Sequence, residues 1–114
     1  MEECLFCKIA SGAIPSKKVY EDADFFAFED IAPQAPTHIL IVPKKHIPTL
    51  NDVSELDGPM LGRLMVLASK IAKERGLDAK GFRLLANCLE SAGQSVFHLH
   101  FHLMGGRVFR WPPG

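Results

Sequence analysis

The 114-residue chain carries 13 Lys and Arg against 13 Asp and Glu, for a formal net charge of zero, and is 47% hydrophobic. A chain of this length forms one domain able to bury roughly two thirds of its unfolded surface, and without a basic surplus it has nothing to draw in nucleic acid or an anionic membrane. No apolar run approaches the ~20 residues of a membrane span, the acidic start at Glu2 and Glu3 lacks a signal peptide's basic region, and three cysteines make no disulfide framework, so the expected address is the cytoplasm.

Cys4 to Ala10 reads as a short helix or turn, with Leu5, Phe6 and Ile9 on one apolar side and Ser11-Gly12 as its stop. Within it, Cys4-Leu5-Phe6-Cys7 has the spacing of a metal-binding or redox pair in a reducing compartment. Two strands, Lys18 to Glu21 and Phe25 to Glu29, flank Asp22-Ala23-Asp24 as a hairpin. Asp30 to Pro36 is a loop that two prolines stiffen, which suits it to hold Asp30 and Ile31 beside a ligand. Thr37 to Val42, rich in β-branched residues, is a central strand ended by Pro43-Lys44-Lys45-His46. Leu56, Met60, Leu61, Leu64, Met65, Leu67, Ala68, Ile71 and Ala72 follow a helical period. That helix runs from about Ser54 to Arg75, with Ser54 as N-cap, Gly76 as stop and Gly58-Pro59 as an alternative start. Gly81 to Asn87 is another strand, and a turn from Cys88 to Ser95 leads out of it.

Three of the five histidines then fall within Gly93 to Gly106. On a strand, His98, His100 and His102 share one side while Phe97, Leu99, Phe101 and Leu103 share the other, and Gly105-Gly106 ends the run. Alternate histidines suit either a metal or acid/base and nucleophilic chemistry; Gly93 and Ser95, which offer backbone N–H groups and a hydroxyl, favour a phosphate over a cation. Residues 106–114 are a C-terminal tail of the single domain. Five strands, one long helix, one short helix and hairpin-length connections predict an α+β fold with a mainly antiparallel sheet.

These stretches resemble the histidine triad (HIT) family, whose signature is His-x-His-x-His followed by two apolar residues, here His98 to Met104. More narrowly they are similar to its Hint branch of nucleotide phosphoramidases. The matching stretches are Phe28 to His38, Ile41 to Ile47, Gly93 to His98, and Gly105-Gly106-Arg107 with Trp111-Pro112-Pro113-Gly114, in the same order and nearly end to end.

The resemblance implies a site for a purine nucleoside monophosphate conjugate, such as an adenosine or guanosine phosphoramidate. His100 would attack the α-phosphorus and form a nucleotidyl-histidine, with His38, His98 and His102 orienting it and contacting phosphate. Asn87, Gly93, Gln94 and Ser95 would surround phosphate and leaving group, and Asp30 would bind the ribose. Leu5, Phe6, Ile9, Phe28, Ile31 and Leu40 would wall the base. It also implies a homodimer sharing one ten-stranded sheet and no cofactor for catalysis; the proline-rich tail, whose Phe109 and Trp111 are ill suited to a free solvated end, is expected to pack across that dimer with Trp111 near the leaving-group side of the partner's site. Relatives with a Cys-x-x-Cys pair carry a structural zinc, which here would take Cys4, Cys7, His46 and His98. Hydrolysis of diadenosine polyphosphates and a nucleotide-binding regulatory role are the competing expectations.

Overall fold

The computed structural model describes residues 3–114; the acidic start at Glu2 lies outside them. The order is α1 (Leu5–Ala10), β1 (Lys18–Glu21), β2 (Phe25–Glu29), β3 (Thr37–Pro43), α2 (Gly58–Glu74), β4 (Phe82–Leu85) and β5 (Phe101–Gly105). The strands form a single five-stranded sheet in the order β1-β2-β3-β5-β4, every pair antiparallel. The α+β expectation is met.

Local chemistry sets most of these elements. The β1–β2 hairpin is tied by Asp22, whose Oδ1 accepts from the N–H groups of Asp24 and Phe25, both at 2.8 Å. Helix α1 begins with Cys4 as its N-cap, the sulfur accepting from the Cys7 N–H at 3.3 Å. The long helix takes the alternative start: Pro59 lies in its first turn, and Ser54 instead opens a separate 3₁₀ turn, Glu55–Asp57. There the Asp57 carboxylate accepts the Ser54 N–H at 2.9 Å and pairs with Lys45 at 2.7 Å.

Two apolar layers sandwich the sheet. Leu64, Leu67, Ala68, Ile71 and Ala72 of α2 pack on Phe25, Ala27, Ile39, Ile41 and Leu103. Burying each Leu or Ile there contributes about 1.5–3 kcal/mol. On the opposite face Phe6 and Ile9 of α1 close over Phe26, Phe28, Leu40 and Val42. The histidines lie on that α1 face, in the space the small helix leaves open.

The histidine stretch is a strand only from Phe101 onward. Its predicted alternation holds there, with Leu103 buried against α2 and His102 opposite Leu40 on the other face. His98 and His100 precede the ladder, in a segment tied to the loop after β3 by the Leu99 N–H donating to Ile47 O at 2.6 Å. Phe97 is 50% exposed and leaves the apolar side altogether. β5 ends where the sequence placed its stop: a Cβ on Gly105 would lie 2.7 Å from the Leu77 side chain. At Gly106, with φ +91°, a Cβ would lie 2.9 Å from Pro36, so the chain there runs hard against the proline loop.

Candidate active site

Hydrogen-bond direction sets the proton on each imidazole. His100 Nδ1 lies 2.8 Å from the carbonyl oxygen of His98. A carbonyl only accepts, so Nδ1 carries the proton and Nε2 presents a lone pair. His38 is fixed the opposite way, because the Gln34 backbone N–H donates to its Nδ1 at 3.0 Å and leaves the proton on Nε2. That Nε2–H faces His102 Nδ1 at 2.9 Å and Asp30 Oδ2 at 3.4 Å, and the nearer acceptor is His102. His102 therefore carries its proton on Nε2, the one buried side-chain nitrogen or oxygen without a hydrogen-bond partner among the described residues. An unpaired buried N–H is costly. Here it lies on a ring whose centroid is 5.1 Å from that of His100, and the pair combines a nucleophilic lone pair with a hydrogen-bond donor.

Burial keeps these rings neutral. It pushes His100 below the ordinary imidazole value against the opposing hydrogen bond to His98. It pushes His38 down as well, against the nearby Asp30 carboxylate. His102 falls to about 4, through burial first and then the neighbouring His100 and His38. A neutral nucleophile needs no deprotonation before attack. The Phe6 ring stands edge-on to His100, with centroids 4.9 Å apart, and restricts its rotation.

Beside the triad a cleft of about 680 Å³ runs between α1 and the proline loop. Leu5, Ile9, Phe28 and Ile31 line it, with Asp30 at its polar end, and Ile14, Pro15, Lys17 and Pro33 complete the wall. Those last four are missed by periodicity, because they belong to loops that only the fold brings opposite α1. Phe6 and Leu40, expected in the wall, are buried behind it at 5% and 6% exposure. Ile31, 97% exposed, stands free at the rim.

Asn87 is half-buried just past β4, on the line that pairs Leu85 with His102 and runs on toward His100. Gly93 takes a left-handed conformation, φ +87°, in the turn before Ser95. Ser95 is exposed and lines a second cleft with Cys4, Leu5, His46 and Phe97. Gln94, expected around the phosphate, has its carboxamide committed elsewhere. Its Oε1 accepts the Leu89 N–H at 2.8 Å, and its Nε2 donates to the carbonyls of Pro48 and Val96 at 2.8 and 3.1 Å. It shapes the turn from below, and no donor of its side chain is left for a ligand. Trp111 is 84% exposed and stands apart from its own chain's cleft.

His98 faces a different group. Its Nε2 lies 2.7 Å from the Pro43 carbonyl, so Nδ1 holds the lone pair, and that atom lies 3.4 Å from each of Cys4 Sγ and Cys7 Sγ and 3.2 Å from His46 Nδ1. Cys7 Sγ and His46 Nδ1 are 3.3 Å apart, and all four donor atoms lie within 4.8 Å of one another. Bonds of about 2.3 Å to sulfur and 2.0–2.1 Å to nitrogen set the edges of a tetrahedral zinc site at roughly 3.3–3.8 Å. The donor set therefore fits zinc, and the Pro43 carbonyl supplies the outer hydrogen bond a ligating histidine needs. Burial and the adjacent Cys4 push the Cys7 thiol up to about 11. Asp30, His38 and His102 also converge. A metal on His38 Nε2 would force that ring's proton onto Nδ1, where the Gln34 N–H already points, so this second set suits a hydrogen-bond relay.

Residues 11–109 match the family model described as the HIT domain. The chain is 51% identical over 106 residues to the purine nucleoside phosphoramidase of Escherichia coli K12, covering 93% of this chain and 89% of that protein. A HIT family hydrolase from Legionella pneumophila Philadelphia 1 superposes with a TM-score of 0.97 at 53% identity, over 98% of this chain and 100% of that one. A histidine triad protein from Clostridium difficile gives 0.93 at 47% identity, over 96% of both.

Proposed function

The chain belongs to the HIT family, and from that premise we propose that it hydrolyses the P–N bond of purine nucleoside 5′-phosphoramidates through a nucleotidyl-His100 intermediate. The observation that carries the proposal is the pairing of an unprotonated His100 Nε2 with the unpartnered His102 Nε2–H, beside a cleft with an apolar wall and a carboxylate at its end. The purine nucleoside in the relative's name supports the same reading.

The chemistry follows from the proton inventory. The His100 Nε2 lone pair attacks the α-phosphorus while the His102 N–H stabilises charge on a non-bridging oxygen. The amine leaves with the bonding pair and takes a proton that the Ser95 hydroxyl relays from solvent. Water then attacks the nucleotidyl-histidine and frees His100. Asp30 holds the ribose through Oδ2, since Oδ1 already accepts the Ala32 N–H at 2.8 Å. Gly93 and Asn87 flank the phosphate, and His98 acts through its carbonyl on His100.

Cys4, Cys7, His46 and His98 would hold zinc, which when bound supplies a tie between α1 and the segment carrying the nucleophile. No step of the reaction needs it. We also propose a homodimer in the cytoplasm. β4 is an edge strand and its Phe82 is 39% exposed in the single chain, so pairing β4 with its copy would cover that edge and extend the sheet to ten strands. Among the described residues no helix is long and apolar enough to cross a membrane.

The test is turnover of adenosine 5′-phosphoramidate beside diadenosine triphosphate, with trapping of the adduct. His100→Ala is expected to abolish turnover and adduct while keeping the fold and most affinity for adenosine monophosphate. Normal turnover by folded His100→Ala, or preference for the dinucleotide, defeats the reading.

A further inference from the structure

The tautomer of the His38–His102 relay rests on one backbone N–H, that of Gln34. That N–H belongs to the Pro33–Gln34 peptide of an exposed loop, and a displacement of Gln34 would release His38 Nδ1 from its donor. Two hydrogen bonds hold Gln34 in place, one on each side of that peptide. The Gln34 side chain donates to Ala32 O at 3.1 Å, and Arg107 Nε donates to Gln34 O at 2.9 Å. Arg107 belongs to the tail, 73 residues away in sequence. It is itself oriented, its guanidinium lying 4.2 Å from the Phe109 ring centroid and Nη1 donating to Val108 O at 3.0 Å. The close approach is built in, because Gly106 packs where a Cβ would meet Pro36 of the same loop at 2.9 Å.

We infer that Arg107 is a positioning residue for catalysis: by holding the Gln34 carbonyl, in the peptide next to the donating N–H, it fixes Gln34 and so keeps the proton of His38 on Nε2, and hence that of His102 on the nitrogen available to the phosphate. The tail thereby reports its own docking to the relay. Arg107 is exposed and forms no ion pair with a carboxylate among the described residues, so neither core packing nor a salt bridge accounts for its placement. The inference builds on the hydrolase reading only for its kinetic consequence.

The experiment uses full-length protein labelled with ¹⁵N in its histidines, with and without adenosine monophosphate. In the wild type, His38 should show an unprotonated Nδ1 and a protonated Nε2. Arg107→Ala should turn this into a mixture of tautomers, and kcat on adenosine 5′-phosphoramidate should fall roughly tenfold or more, as expected for lost orientation at the reacting centre. KM should move by less than about threefold, because the lost interaction serves the transition state. Gln34→Pro, which deletes the N–H directly, should give the same spectral change without touching the tail. An unchanged His38 pattern in Arg107→Ala overturns the inference, whether or not Gln34→Pro shifts it. The spectrum is read without turnover, so a protein inactive on every phosphoramidate would defeat the hydrolase reading while the tautomer still decided the role of Arg107.

Discussion

Replacing Leu89 by glycine should stabilise this protein. Leu89 has φ 70° and ψ −174°, a region that glycine enters freely and that costs other residues about 1–3 kcal/mol. The conformation is imposed by Gln94, whose Oε1 accepts the Leu89 N–H at 2.8 Å while the Gln94 N–H donates to Leu89 O at 3.1 Å. Both bonds use only backbone groups of Leu89, so glycine keeps them. Against roughly 2 kcal/mol of relieved strain stand about 0.5–1 kcal/mol for glycine's greater freedom in the unfolded chain and about 0.5 kcal/mol for the contacts of a side chain already 43% exposed. The net gain is near 1 kcal/mol, or about 4 °C in Tm for a domain of this size. Leu89→Ala is the decisive control. It retains the Cβ and hence the strain, yet loses the contacts, so it should fall below the wild type. At an ordinary φ, alanine would win over glycine by about 0.5–1 kcal/mol; here the order should reverse. Thermal and urea unfolding of the three proteins measure it, and Leu89→Gly at or below Leu89→Ala refutes the strain.

Metal analysis of freshly purified protein should find about one zinc per chain, and Cys7→Ser should lose it and loosen α1, seen as faster amide exchange at Phe6 and Ile9. Zinc retained by Cys7→Ser would remove Cys7 from the ligand set. Acid should weaken the fold through the relay. His102 binds its proton less readily folded, near 4, than unfolded, near 6.5, so its contribution is complete above pH 6.5 and drains away as pH falls toward 4. After discounting for solvent screening this amounts to about 1–2 kcal/mol, read as the extra loss of urea resistance between pH 7 and 4.5 relative to His102→Gln; equal losses in the two proteins would contradict it. Sedimentation at micromolar concentration should give a dimer, and truncation after Arg107 should alter preference among phosphoramidate leaving groups more than affinity for adenosine monophosphate. A monomer, or a truncated dimer of unaltered selectivity, would count against Trp111 reaching the partner's site.

Whatever depends on near neighbours was legible in the chain itself. The hairpin at Asp22 and the helical period from Leu64 to Ala72 are set by steric and hydrogen-bonding preferences acting over a few residues. The spaced motifs carried the family resemblance and with it the position proposed for the nucleophile, His100, because chemistry demands those residue types wherever the fold places them. The sequence could not say which partner each histidine takes. Alternation put His98, His100 and His102 on one strand face, but β5 starts at Phe101, and the loop after β3 draws His98 toward two cysteines 94 and 91 residues away. The motif puts Gln94 beside the phosphate, and only the fold commits its carboxamide to Leu89, Pro48 and Val96. Phe6 and Leu40 are as apolar as Leu5 and Ile9, and only packing decides which of them reach the cleft and which lie behind it. Proton placement depends most fully on tertiary structure: it is set by whether a donor or an acceptor faces each ring nitrogen, and for His38 and His102 those groups meet across 64 residues of chain.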